Sequence, residues 1–453
     1  MRTKGFYPLC LLFTFTGLLW LTACGGSSGG GSDDGSGEDP PTTTEATWHK
    51  SVIADVASDG ISVRLVAQPD GDDTVHLSYY DNSGDDELYG GIQYARVELD
   101  GNEATVADAE VNLTMVDNSA TLDMALDNQG QPLVVYQGGD GLTFCQGEQA
   151  DVMVSMPGTA NWDDYTAAIG YVERNPAPQL QDGKSGTESA IAIDSDNNVH
   201  IVFTFRYEGC ETVNHNYPDL RYVQVDGGNP VSEREEEETV HGNIYPEFNV
   251  VEENNSVGFF CDLVLDAQDQ PIAFYAENKE VIGTSNGIHM AFREGEPAEW
   301  TYEWVEEIED EEEILAISGA VSPLDGTIAV AYAMAVEDDG RTYTVLKYAY
   351  RDASAVWHPV IVDESASVGT HCSLSFSSDG EPVIAYYAIQ SHTGYELDNL
   401  RFAWRTDTGW ERETVAEAGN VGKNNTLWVD SEGAPHIVTY NDTTNEILHY
   451  VKR

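Results

Sequence analysis

Residues 372–388 read CSLSFSSDGEPVIAYYA. The first half alternates apolar and polar side chains, as a strand with one buried face does. S-D-G-E-P then supplies turn chemistry, and V-I-A-Y-Y is a second strand, apolar throughout. The same phrase occurs seven times: GDDTVHLSYY (71–80), NQGQPLVVYQ (128–137), SDNNVHIVFT (195–204), AQDQPIAFYA (267–276), PLDGTIAVAY (323–332), SDGEPVIAYY (378–387) and SEGAPHIVTY (431–440). Anchored on Val75, Pro132, Val199, Pro271, Ile328, Pro382 and Pro435, the copies are spaced 57, 67, 72, 57, 54 and 53 residues apart. Periods of this length belong to solenoids and propellers.

Each copy carries further strands. One precedes the turn (TLDMALD, SAIAIDS, CDLVLDA, CSLSFSS, NTLWVDS). A third follows a variable loop (GIQYARV, DLRYVQV, GIHMAFR, VLKYAYR, NLRFAWR, ILHYVKR), and a fourth tends to begin with tryptophan (NWDDYTA, EWTYEWV, VWHPVIV, GWERETV). Four short strands per repeat predict an all-β, seven-bladed β-propeller. The seventh copy stops at HYVKR without a tryptophan strand, while a spare one, TWHKSVIAD, stands at 47–55. This N-terminal strand is expected to complete the last blade and to remove the open sheet edges. Apolar residues such as Leu374, Phe376, Ile384 and Tyr386 then pack between blades. Six copies carry an aromatic at the Tyr386 position, and Trp48, Trp162, Trp300, Trp357 and Trp410 read as packing residues.

Ahead of the propeller, residues 1–23 read as a signal peptide. Arg2 and Lys4 precede an apolar run from Leu9 to Leu21, too short to span a bilayer. The run ends in Leu21-Thr22-Ala23-Cys24, which resembles the bacterial lipobox. That resemblance implies cleavage before Cys24, acylation of that residue, and anchoring in the cell envelope, in the outer membrane of a Gram-negative bacterium. Residues 25–46, GGSSGGGSDDGSGEDPPTTTEA, form a tether of 22 residues. As a coil it reaches about 26 Å; extended, about 75 Å. Residues 47–453 are the propeller.

The chain holds 79 Asp plus Glu against 21 Lys plus Arg, a formal charge of −58. Nucleic acid is thereby excluded as a partner, because phosphate binding needs a basic surface. Calcium is the one cofactor the composition leaves open, although no run with EF-hand spacing occurs.

The repeat S-h-x-h-D-x-x-G-x-P-H-h-x-Y-Y…L-x-Y-A…W, with h apolar, resembles that of bacterial secreted propellers with a sialidase-like fold, many of them lipoproteins. Sialidase chemistry in that family implies three arginines against the substrate carboxylate, a tyrosine nucleophile with a glutamate, and an acid. Here Arg221, Arg293, Lys347 and Arg401 recur at or near one third-strand position, away from the axis, and only Arg64 sits in a first strand. No trio assembles from the pattern. Another glycosidase would need two carboxylates about 5–9 Å apart.

The face where first strands begin should carry the site, lined by Thr121, Ser189, Cys261, Ser318, Cys372 and Asn425. Its rim is formed by the loops 206–219 and 387–399. Arg64, Tyr207, His215, Tyr217, His371, His392 and Tyr395 are the candidate ligand-binding residues, offering ring faces and polar tips suited to sugars. Cys145 and Cys210, on loops of adjacent blades, form the expected disulfide. Cys261 and Cys372 are the remaining pair; with one blade between them, a bond strains disulfide reach. A metal there would recruit Asp262 and His371, but no tight C-x-x-C spacing supports one. Three functions fit: a binding module for an extracellular glycan, a glycan-active enzyme, or a protein-interaction scaffold in the envelope.

Overall fold

The computed structural model describes residues 46–56, 65–81, 89–110, 115–117, 122–138, 143–144, 147–148, 151–157, 162–168, 171–172, 181–208, 219–225, 238–241, 255–279, 286–294, 299–309, 312–338, 340–365, 367–390 and 397–453. Cys24 and the tether, Arg64, Cys145, Cys210, His215, Tyr217, His392 and Tyr395 lie outside them, and Tyr207 is described as backbone only.

Seven antiparallel sheets of four main strands stand around an axis. Their innermost strands are, in chain order, Leu65–Pro69, Leu122–Leu126, Gln181–Ile193, Asn255–Leu265, Glu313–Val321, Ser373–Phe376 and Val421–Val429. Each lies beside the innermost strand of the next blade, and the seventh lies beside the first. The chain is a seven-bladed propeller.

The ring is sealed as the repeat pattern predicts. Trp48–Asp55 is the outer strand of blade seven, antiparallel to Glu446–Lys452, with Trp48 opposite Lys452 and Asp55 opposite Glu446. Trp48 shows why fourth strands begin with tryptophan. Its indole packs edge-on against Phe402 of blade six at 5.4 Å between ring centroids. Trp300 and Trp410 do the same to Tyr222 and Tyr348, and Trp162 packs tilted against Tyr94, each on the third strand of the preceding blade. The tryptophan ties neighbouring blades together, and Trp48 does this for the seam. Tyr136, Phe203, Tyr275, Tyr332 and Tyr386, the repeated second-strand aromatics, are fully buried.

The D-x-x-G turn is held by its aspartate. In blade three Asp194 Oδ1 accepts the N–H groups of Asp196 (2.9 Å) and Asn198 (2.7 Å); in blade seven Asp430 Oδ1 accepts those of Glu432 (3.0 Å) and Ala434 (2.7 Å). The fourth turn position takes a left-handed backbone, φ 87° at Gly433 and 67° at Asn197, which glycine and asparagine tolerate. Where histidine opens the second strand, the other carboxylate oxygen receives it: His200 Nε2 to Asp194 at 3.2 Å and His436 Nε2 to Asp430 at 3.1 Å. The opposite ring nitrogen meets a third-strand partner, Tyr222 Oη at 2.7 Å from His200 and His449 Nε2 at 2.9 Å from His436. His76 and Tyr94 repeat the contact in blade one at 2.7 Å. An Asp–His–Tyr relay has the look of a catalytic device. Buried variants of it recur, with His449 replacing the tyrosine in blade seven and Asp70 drawn back to 3.7 Å from His76 in blade one, and that recurrence marks it as scaffold.

Candidate functional site

Second strands such as Val199–Glu208 and Pro382–Gln390 run away from the capped turns, so the loops after them leave on the face where the innermost strands begin. On that face four innermost strands lose register with their second strands within two residues of a common level: between Ser185 and Ser189, Phe259 and Asp262, Ile314 and Ala316, and Lys423 and Thr426. Blade six breaks there outright, into Ser367–Val368 and Ser373–Phe376. Phe260, His371 and Asn424 hold equivalent places at this level, and all three are left-handed, with φ of 51°, 53° and 47°. Bulges of this kind bend a strand and redirect its side chains, so the mouth flares above a narrower ring.

Of the ligand-binding candidates, His371 is the one whose side chain is described. Its ring stands edge-on to Tyr387 at 6.0 Å, and its carbonyl accepts a hydrogen bond from Asn425 Nδ2. Around it the fold gathers residues the repeat reading passed over. Tyr387 Oη donates to Asn420 Oδ1 at 2.6 Å; Asn420 Nδ2 and Lys423 Nζ both donate to Asp442 Oδ2, at 3.0 and 2.9 Å. Lys423 Nζ lies 5.9 Å from the Tyr387 ring. This cluster of imidazole, phenol, amide, ammonium and carboxylate bridges blades six and seven at the mouth. One sequence signal does mark it: VGKNN, at 421–425, interrupts the alternation expected of an innermost strand.

Below the flare the channel is ringed by hydrogen bonds. Three residues before the end of each innermost strand stand Val66, Asp123, Ala190, Asp262, Ser318, Ser373 and Thr426. Five have an oxygen, and each accepts the next residue's N–H in the following blade: Asp123 from Ile191 (2.9 Å), Asp262 from Gly319 (2.6 Å), Ser318 from Leu374 (3.0 Å), Ser373 from Leu427 (3.0 Å) and Thr426 from Ala67 (3.3 Å). Val66 and Ala190 cannot. In the blades after them the stranded N–H groups of Met124 and Leu263 turn to their own aspartates, Asp123 and Asp262, at 2.8 Å each. Aspartate stands where two donors need an acceptor, and serine or threonine where one does. Gly319 is required at its place because the Phe274 ring would lie 2.4 Å from a Cβ. Ser318 thus belongs to this ring, level with Ser373 rather than with Cys372, a one-residue correction to the expected lining. Thr121 is outside the described residues.

Burial pushes the Asp123 carboxyl up to about 7, and the neighbouring charge of Asp262 adds to the effect. Asp262 is raised by burial as well. Perturbed carboxyls in a channel often signal acid–base chemistry, but here every oxygen already holds a backbone donor.

The third-strand cations are also engaged. Lys347 pairs with Glu306 of blade four, which also accepts from Tyr332 Oη. Arg401 (3.1 Å) and Tyr386 Oη (2.8 Å) both reach Asp363 of blade five, and Arg412 takes its other oxygen at 2.9 Å. Arg221 lies over the Phe205 ring at 3.7 Å. Arg293 stands four residues beyond the shared position, which in blade four is His289, bonded to Glu277 at 2.6 Å. The Glu306 and Asp363 groups latch neighbouring blades together away from the axis, whereas Arg221 and His289 find their partners within their own blades.

Cys261 and Cys372 are free thiols, which corrects the expectation of a second disulfide. Each is wedged in a different blade interface: Cys261 packs with Ala190 and Val202 of blade three, and Cys372 donates to the Ala331 carbonyl of blade five at 3.6 Å. Burial pushes the Cys372 thiol up to about 12. Among the described residues no three His, Cys, Asp or Glu side chains converge to hold a metal, and no helix is long and apolar enough to cross a membrane.

No protein-family model matches the chain, and neither does any curated protein. Solved structures do. The leech intramolecular trans-sialidase is 9% identical, with 90% of this chain and 94% of that one covered and a TM-score of 0.44. The α-L-arabinofuranosidase Arb93A from Fusarium graminearum is 10% identical over 90% and 98%, with a TM-score of 0.46. The polysaccharide lyase Uly1 is 9% identical over 90% and 97%, with a TM-score of 0.45. At such identities the likeness speaks of fold alone: the chain is similar to sialidase-like and other glycan-active propellers in its architecture.

Proposed function

We propose that this chain is a lipid-anchored envelope protein whose propeller binds an extracellular carbohydrate at the flared mouth. The observation that carries the reading is the common level at which the innermost strands leave register. Five blades thereby open onto one face, which holds the polar cluster of His371, Tyr387, Asn420, Lys423 and Asp442. Donors, acceptors and an aromatic edge converging on a fixed concavity suit hydroxyl-rich ligands. Binding is preferred to turnover because the perturbed channel carboxyls, Asp123 and Asp262, are occupied as structural acceptors. Cys24 and the tether at 25–46 supply anchor and reach, in an outer membrane facing the medium.

A glycan array probed with the full chain tests the proposal. Retention of a defined glycan set, lost in Lys423→Ala and His371→Ala, supports it, and silence across the array overturns it. Steady hydrolysis of a fluorogenic glycoside panel would replace it with the catalytic alternative.

A further inference from the structure

A second site lies on the opposite face, between blades five and six. A cleft of about 420 Å3 opens there beside the capped turns, within the size range of small-molecule sites. At its wall stands Tyr348, only 2% exposed. Tyr348 occupies the third-strand position that Tyr94 and Tyr222 hold in blades one and three, opposite the residue three places into the second strand. Those two tyrosines bond the histidine that opens the second strand, His76 and His200. In blade five that histidine is Ala329, and the turn aspartate is Ser322. The relay has lost its first two members, and the Tyr348 hydroxyl, lining the cleft, has no hydrogen-bond partner among the described residues.

Across from it Arg405 lies over the Tyr350 ring at 5.4 Å and has no acidic partner within ion-pair distance among the described residues. The other described arginines on these two blades are paired, to Glu303 or Asp363, whereas this one rests over an aromatic ring and lines the cleft. Glu381 and Asp407 complete the lining with acceptors, and Asp325 adds its charge while its carboxylate caps its own turn through the Thr327 N–H at 3.0 Å.

We infer that this cleft binds a neutral, hydroxyl-rich sugar unit, with the carboxylates accepting its hydroxyl hydrogens and Arg405 and Tyr348 donating to its oxygens. Three carboxylates against one guanidinium repel a uronate or sulfated unit. The guanidinium in the wall opposes an amine or a metal cation. A polyol needs acceptors and donors together and carries no charge to offend either. The inference stands apart from the mouth, which faces the other way.

Calorimetry of the full chain against neutral oligosaccharides (glucan, mannan, xylan and galactan fragments), with uronate and glucosamine oligomers as the charged arms, tests it. Binding by a neutral fragment should weaken about tenfold or more in Arg405→Ala and about three- to tenfold in Tyr348→Phe, and stay unchanged in Lys423→Ala. Tyr348→Phe removes only an unbonded hydroxyl, so the fold is kept. No heat from any neutral fragment, unchanged affinity in both variants, or tighter binding of a charged arm overturns it. Binding lost in Lys423→Ala but not in Arg405→Ala leaves the mouth standing and removes the cleft.

Discussion

Asp123 of blade two accepts the backbone N–H of Ile191 in blade three at 2.9 Å and, through its other oxygen, the N–H of Met124 at 2.8 Å. Alanine at 123 strands both donors. Each buried orphan costs about 1–3 kcal/mol, so Asp123→Ala should lose about 2–6 kcal/mol in urea unfolding. Asp123→Ser, which imitates Ser318 and Ser373, should recover the Ile191 bond and roughly half the loss. The sign with pH is fixed by the raised carboxyl. The folded state keeps the Asp123 proton up to about 7 while the unfolded state releases it near 3.8. Its contribution is therefore full below 3.8 and declines as pH rises toward 7. The penalty of Asp123→Ser should be larger at pH 4 than at pH 7.5.

His449 stands where blades one and three carry Tyr94 and Tyr222. Burial, with His436 and Arg453 nearby, lowers its imidazole to about 3. A histidine held neutral by the fold gives its full contribution above 6.5, and loses it as pH falls through that value toward 3. His449→Tyr supplies a hydroxyl to His436 without a titrating ring. The variant should gain on the parent as pH drops, by about 2 kcal/mol at pH 5 relative to pH 8, read from denaturation midpoints. A constant offset across that range refutes the assignment.

Asp363 is fully buried between two guanidinium groups and a phenol. Burial alone would raise it. Hydrogen bonds from Ser365 and Tyr386 and the Arg412 charge hold it below the usual carboxylate range instead. Asp363→Ala leaves those charges facing each other and should cost about 3–5 kcal/mol. In the parent the contribution is present above 3.8 and disappears as pH falls through the lowered value, so acid should narrow the gap between the two proteins.

Deleting residues 47–55 exposes Glu446–Lys452 as a free edge and removes Trp48 from Phe402. The shortened chain should self-associate in light scattering, and the peptide 47–55 added in trans should restore monomers. Failure of the peptide to bind would mean that the seam is not the weak edge.

The architecture was legible because one apolar phrase recurs around a proline anchor, and the spare TWHKSVIAD strand matched a vacancy. The donor ring was not, since choosing Asp over Ser at 123 and 262 depends on Val66 and Ala190 in neighbouring blades, more than fifty residues away. The third-strand cations were legible as a column but not as latches, because Glu306 and Asp363 come from the preceding blade. Arg293 slipped from the column because His289 already fills it. The mouth cluster stayed hidden for the opposite reason: Asn420, Lys423 and Asp442 belong to no repeat, and only the bulge at 423–426 brings them beside Tyr387.

The pairing of Trp48–Asp55 with Glu446–Lys452 joins segments almost four hundred positions apart. Such a contact has a high loop-closure cost and comes late. Until Glu446–Lys452 has been made, Trp48–Asp55 has nothing to pair with, blade seven has two strands and the wheel gapes. A product that stops short of residue 446 keeps that raw margin permanently, a ready target for proteases.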